Sequence, residues 1–259
     1  MNLFFKITLA LLLSANTLFA IPPGAGQPST TLSTDKLSCE YLQNPLGIET
    51  AAPRLSWTLT ASKRNQIQQA YEVLVSDNLK DLQSLKGNLW QPGKIRTAQS
   101  LHIVYAGKPL KAFKRYYWRV RVYNQDGKAS PWSDVAWFET AMLKQEDWSA
   151  KWIDDGSVSP EKDEDFYKED PSPLFRKAFN AVKKPVSARL YISGQGYYEA
   201  YINGKKVGDH VLDPGWTSRE KQALYCVYDV TAMIRQGGNT TGVILGNGFY
   251  NPLPLRLFS

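Results

Sequence analysis

A single short stretch, Asp209-His210-Val211-Leu212-Asp213-Pro214-Gly215-Trp216-Thr217, gathers two carboxylates, an imidazole, a hydroxyl and one large aromatic ring. Carboxylates and hydroxyls can hold sugar hydroxyl groups, and an indole face can stack on the C–H surface of a pyranose. Further along, Gly246-Asn247-Gly248-Phe249-Tyr250 adds a side-chain amide and more aromatic surface. Asp209, Asp213, Trp216, Asn247 and Tyr250 are therefore the residues of these stretches suited to a ligand with polar groups and an apolar face. A plainer reading stands beside this one. Trp216 can serve as a core or loop anchor, Asp213-Pro214-Gly215 as a turn, and Asn247-Gly248 as a bulge or turn.

Other chemistries find less support. Glu161 to Asp170 is densely charged and bounded by Pro160, Pro171 and Pro173. A glycosidase acid/base pair needs carboxyls fixed in a partly desolvated cleft, whereas adjacent like charges on a Pro-bounded loop read as a solvated segment. Gly194-Gln195-Gly196 and Gly246-Asn247-Gly248 lack the glycine spacing and βαβ context of a phosphate loop. Ser193 is not in a nucleophile elbow, and His102 and His210 show no triad spacing. Cys39 and Cys226 fall in different parts of the chain and read as thiols by default, with a disulfide between them the lesser alternative in an exported protein; two cysteines cannot make a four-thiolate zinc site.

The elements that must position these residues are strands. Leu55, Trp57 and Leu59 share one face of a run, as do Tyr71, Val73 and Val75 of another. From Tyr116 to Tyr123, Trp118, Val120 and Val122 alternate with Tyr117, Arg119, Arg121 and Tyr123, and Asn124-Gln125-Asp126-Gly127 supplies the turn. Arg119 and Arg121 beside Trp132 suggest guanidinium groups stacked on an indole. Leu174 to Phe179, Ala188 to Ser193 and Gly196 to Gly208 continue the pattern, with Asn203-Gly204 the signature of a type I′ hairpin.

The chain has 259 residues, 43% hydrophobic and 12% aromatic, with a net charge of +7. That composition suits globular folding, and the length suits two modest domains. The basic surplus is scattered, Lys183-Lys184 and Lys205-Lys206 being the tightest pairs, so no nucleic-acid partner is expected. Lys6 followed by a leucine-rich run ending at Ala20 reads as a secretory signal, too short to span a bilayer. Export to the periplasm or the extracellular space is expected, with no membrane span.

Pro53 to Trp57, Tyr116 to Tyr123 and Gly127 to Ser133 resemble the fibronectin type III pattern. The run from Tyr191 to Asp209, then Leu212-Asp213-Pro214-Gly215-Trp216-Thr217, Asp229-Val230-Thr231 and Leu245 to Asn251 resembles the N-terminal region of bacterial α-L-rhamnosidases of glycoside hydrolase family 78. Phe249 stands where the family often has Trp, and Arg219 where an aromatic is common. The resemblance implies an all-β protein: a fibronectin type III-like sandwich over 35–141, a linker over 142–173, and a jelly-roll or galactose-binding-like sandwich over 174–259. A signal peptide (1–20) and a leader (21–34) precede these. It also implies inverting hydrolysis of terminal α-L-rhamnose by two carboxyls on a helical (α/α)6 barrel.

No helical barrel follows Tyr250, so a truncated second sandwich and no catalytic residue are expected. The absent catalytic domain would be the natural intramolecular partner. The family further implies a rhamnose-containing glycan as a ligand, with Asp209, Asp213, Trp216, Asn247 and Tyr250 as the candidate carbohydrate-binding residues, and some relatives use calcium; no other cofactor is implied. Three readings follow: the non-catalytic N-terminal piece of a rhamnosidase, a free-standing carbohydrate-binding protein, or a structural spacer or adhesion scaffold.

Overall fold

The computed structural model describes residues 32–156, 162, 164–165, 171–218 and 220–248. The stretch through Ala20 that reads as a secretory signal, most of the acidic run from Glu161 to Asp170, Arg219, Phe249 and Tyr250 lie outside the described residues.

The first part of the chain forms β1 (Leu32–Cys39), β2 (Arg54–Ala61), β3 (Ala70–Ser76), α1 (Leu79–Gln83), β4 (Ile95–Arg96), β5 (Ile103–Val104), β6 (Arg115–Tyr123) and β7 (Ala136–Glu139). Two antiparallel sheets, β1-β2-β5 and β4-β3-β6-β7, face each other. β6 is the central element, and its alternation is the one expected. Tyr116, Trp118, Val120 and Val122 are buried with Leu55, Trp57, Tyr71, Val73 and Phe138 in one core. Each such side chain contributes about 1.5–3 kcal/mol on burial. The indole of Trp57 stays satisfied inside, donating to Gln68 Oε1 at 3.0 Å, while Gln68 donates onward to the Gln99 carbonyl at 2.7 Å.

The outer face of β6 carries the expected cation–π stack. Arg121 sits 4.7 Å and Arg119 5.8 Å from the Trp132 ring, and Arg115 lies 3.9 Å from Trp137. The segment bearing Trp132 is held by two serines. The Val122 and Val120 amides donate to Ser130 Oγ and Ser133 Oγ at 3.0 and 3.1 Å, and the serine amides donate back to the Val122 and Val120 carbonyls. Serine hydroxyls thus replace a missing strand along β6. α1 was not foreseen from the strand pattern. Asn78 caps it by accepting from the Lys80 amide, and it contacts β3 and β6, with Leu82 fully buried. It accounts for the burial of Leu74 on the face of β3 that alternation alone leaves outward.

The second part forms β8 (Leu174–Ala181), β9 (Arg189–Ile192), β10 (Tyr197–Ile202), β11 (Lys205–Lys206), β12 (Cys226–Asp229) and β13 (Gly237–Gly246). A four-stranded sheet, β11-β10-β13-β8, is covered by the pair β12-β9. Asn203 (φ 51°) and Gly204 (φ 79°) make the β10-β11 turn with the positive φ values that a type I′ hairpin requires. Asn203 also donates to Asn239 Oδ1 and the Met233 carbonyl, tying the turn to β13. Among the described residues, two strands face a sheet of four. β8 is accordingly mostly exposed, Leu174 at 73%.

β9 and β12 present two faces, one apolar and one of mixed character. Leu190, Ile192, Cys226 and Tyr228 point into the second core, whereas Arg189, Tyr191, Val227 and Asp229 point at the first sandwich. Tyr191 meets Phe113 edge-on at 5.3 Å, Tyr225 meets Trp148 at 5.6 Å, and Val227 closes against Gly47. At the centre, Arg189 Nε donates to Glu139 Oε1 at 2.6 Å and a terminal nitrogen donates to Oε2 at 2.9 Å, both side chains being 9% exposed. Arg115 holds the same carboxylate from β6, and Asp229 and the Ala188 carbonyl take the other end of Arg189.

Removing one partner of such a pair leaves an uncompensated buried charge. Arg189→Ala should lower unfolding stability by roughly 3–5 kcal/mol, toward the lower figure because Arg115 remains. Lys206→Ala, which breaks the exposed pair with Glu199, should leave the denaturant midpoint where it is.

Candidate functional site

The loop between β11 and β12 is built on three fixed points. Gly208 (φ +70°) crosses the Tyr228 ring so closely that a Cβ would lie 2.5 Å from Cε1, so only glycine fits there. The Tyr198 amide donates to the Asp213 carbonyl at 3.0 Å, pinning the loop to β10. Pro214 is buried, following a cis peptide bond from Asp213.

Beneath the loop lies a polar cluster. Asp213 Oδ2 accepts from the Tyr228 hydroxyl and sits 2.8 Å from His210 Nδ1; Cys226 Sγ lies within 4.8 Å of both groups. Burial alone would raise the Asp213 pKa, but the donors from Tyr228 and His210 outweigh it and hold the carboxyl below its ordinary value. Burial pushes the Cys226 thiol up. Both cysteines are free thiols, Cys39 being buried in the first core and pushed up to about 12 by burial.

Above it, Trp216, Thr217, Pro214 and Leu224 line a shallow cleft against the arch Gly194-Gln195-Gly196. The arch sits directly on the end of β13, where a Cβ on Gly196 would come within 2.3 Å of the Gly246 carbonyl oxygen.

The candidate residues separate in this geometry. Trp216 is 70% exposed, so it is not the core anchor that its size suggests; Pro214 takes the buried place two residues earlier. Asn247 is exposed at the end of β13, its carbonyl against Gly196 and so beside the cleft. Asp213 turns inward, its carboxylate engaged by Tyr228 and His210. Asp209 is exposed on the loop, and Tyr250 lies outside the described residues. The donors around Asp213 are imidazole, thiol and phenol, whereas calcium takes six to eight oxygens. In the sequence Gly194-Gln195-Gly196 lacks phosphate-loop context and is one part of the run from Tyr191 to Asp209; nothing there marks it as a cleft wall except its place between two strands, which belong to different sheets. Among the described residues, no helix is long and apolar enough to cross a membrane.

Comparison with known proteins gives a consistent result. The family described as Rha78A-like, N-terminal immunoglobulin domain matches residues 34–144, and the family described as alpha-L-rhamnosidase N-terminal domain matches residues 183–254. An alpha-L-rhamnosidase of Formosa agariphila is 37% identical over 235 residues, 85% of this chain and 25% of that protein. One of Alteromonas sp. (strain LOR) is 35% identical over 218 residues, 82% and 23% of the two chains. Among solved structures, the alpha-L-rhamnosidase from Dictyoglumus thermophilum superposes with a TM-score of 0.74 at 39% identity, covering 84% of this chain and 25% of that one. The enzyme from Aspergillus terreus gives 0.71 at 32% identity, with 85% and 24% covered. The chain spans about a quarter of the length of these relatives.

The Asp213 carboxyl has a testable signature. A group held below its unfolded value, near 3.8, contributes stability that is complete above that value and is lost as pH falls through the folded one. Tyr228→Phe removes one donor, which should cost about 1–2 kcal/mol at neutral pH. It should also make the fall in melting temperature between about pH 6 and pH 3 shallower than in the parent chain.

Proposed function

We propose that the chain, which matches the N-terminal immunoglobulin domain and the N-terminal domain of α-L-rhamnosidases in that order, is the non-catalytic accessory region of such an enzyme. The observation that carries this reading is coverage. Both matching families are N-terminal domains, and the aligned length is about a quarter of each relative.

The electrostatics support it. An inverting glycosidase needs a general acid whose pKa is raised, opposite a carboxylate base. Glu40, Asp77, Glu199, Asp213 and Asp229 are all held below the ordinary carboxyl range, by Arg54, Lys114, Lys206, Tyr228 with His210, and Thr231 with Arg189 respectively. None of these five is set up to donate a proton near neutral pH. Hydrolysis of terminal α-L-rhamnose belongs, in this proposal, to a catalytic domain joined to this region, and the leucine-rich start of the chain directs export.

A second reading adds carbohydrate contact at the cleft. The exposed indole of Trp216, in one cleft with Gln195 and Thr217 and with Asn247 against its Gly196 wall, supports it, since a sugar ring needs one apolar face and a few polar groups at its edge. Asp209 and Tyr250 would extend the polar and aromatic surface, and Asp213 would position the loop.

Purified chain incubated with an aryl α-L-rhamnoside should release no aglycone; turnover that copurifies with the chain would overturn the accessory reading. Calorimetric titration with L-rhamnose should show saturable binding that Trp216→Ala weakens by about tenfold or more, as the loss of a stacked aromatic contact of about 1.4 kcal/mol requires. A flat titration of the parent chain would remove the second reading and leave the first intact.

A further inference from the structure

We propose that His210, Asp213 and Cys226 form a binding site for one divalent cation of the zinc class. The three donors come from two elements, the β11-β12 loop and the first residue of β12, and the fold alone unites them. Their ligand atoms, Nδ1, a carboxylate oxygen and Sγ, lie within 4.8 Å of one another. Around a tetrahedral ion with bonds of about 2.0–2.3 Å, ligand atoms sit roughly 3.2–3.8 Å apart. The His210 and Asp213 atoms, now 2.8 Å apart, need only separate slightly to admit it.

The donor types choose the ion. Calcium and magnesium take oxygen, whereas one thiolate, one imidazole and one carboxylate suit zinc and its first-row neighbours. Three protein ligands leave one tetrahedral position, and the His210 side chain, 57% exposed, puts that position within reach of water.

The surroundings are those of a metal site. Tyr228 donates to Asp213 from the protein side, fixing the carboxylate as a second-sphere donor does. The Tyr198 hydroxyl is buried beside Cys226 and Tyr228 without a hydrogen bond of ordinary geometry. A metal thiolate at Cys226 would give that donor a stronger acceptor than the neutral thiol does. On binding, the Cys226 thiol loses its proton to solvent and Sγ forms the bond to the ion. Because Asp213 lies three residues before Trp216, the bound ion would also stiffen the loop that presents the indole.

The experiment uses the full chain, stripped with a chelator and titrated with Co(II), then competed with Zn(II). One equivalent of cobalt should bring up a thiolate-to-cobalt charge-transfer band with tetrahedral d–d bands, zinc should abolish both, and either ion should raise the melting temperature. Cys226→Ser should lose the charge-transfer band, and His210→Ala, a change at an exposed ring that leaves the core alone, should weaken uptake roughly tenfold or more. Cys39→Ser should bind as the parent does. Absence of the band in the parent chain, its loss in Cys39→Ser, its survival in Cys226→Ser, or unchanged affinity in His210→Ala would each overturn the proposal.

Discussion

The buried contact between Arg189 and Glu139 is the constraint around which the rest of the molecule is arranged. Withdrawing a guanidinium and a carboxylate from water is tolerable only if nearly every donor and acceptor finds a partner. Here Glu139 receives Arg189 and Arg115, and Arg189 reaches Glu139, Asp229 and the Ala188 carbonyl. Thr231 completes the arrangement, donating to Asp229 Oδ1 and accepting from the Ala188 amide. The Asp229-Val230-Thr231 motif therefore does more than turn the chain. It holds the arginine that joins the second sandwich to the first.

That junction reaches the cleft through one pair of strands. In β12, Val227 and Asp229 face the first sandwich while Cys226 and Tyr228 face inward beneath the loop. Successive side chains of a strand point to opposite faces, so a shift of register in β12 would exchange the two sets. The ionic contact fixes the register, and the register puts Tyr228 where Asp213 and Gly208 need it. Trp216 is exposed as a consequence, carried out by a loop whose foundations are all committed to the protein.

Much of this was legible in the residues. The alternation of β6, the stack of Arg119 and Arg121 on Trp132, and the Asn203-Gly204 hairpin are local patterns, each set by neighbours in sequence or by a turn with few backbone solutions. α1 escaped because a five-residue helix carries too little periodicity to be seen, and only its packing on β3 reveals it. Trp216 escaped for a related reason: a large aromatic residue fits either a core or a surface, and the choice depends on which neighbour fills the interior.

The sequence by itself determined the strand character, the hairpin and the kinship with rhamnosidase N-terminal regions, because each rests on residue type at short spacing. Tertiary structure alone decided that Glu139 meets Arg189, that Cys226 lies beside His210 and Asp213, and that the Trp216 ring faces solvent. Those are contacts between strands and loops far apart in the chain. Their partners are chosen by burial and by the need to satisfy buried polar groups, which no local pattern records.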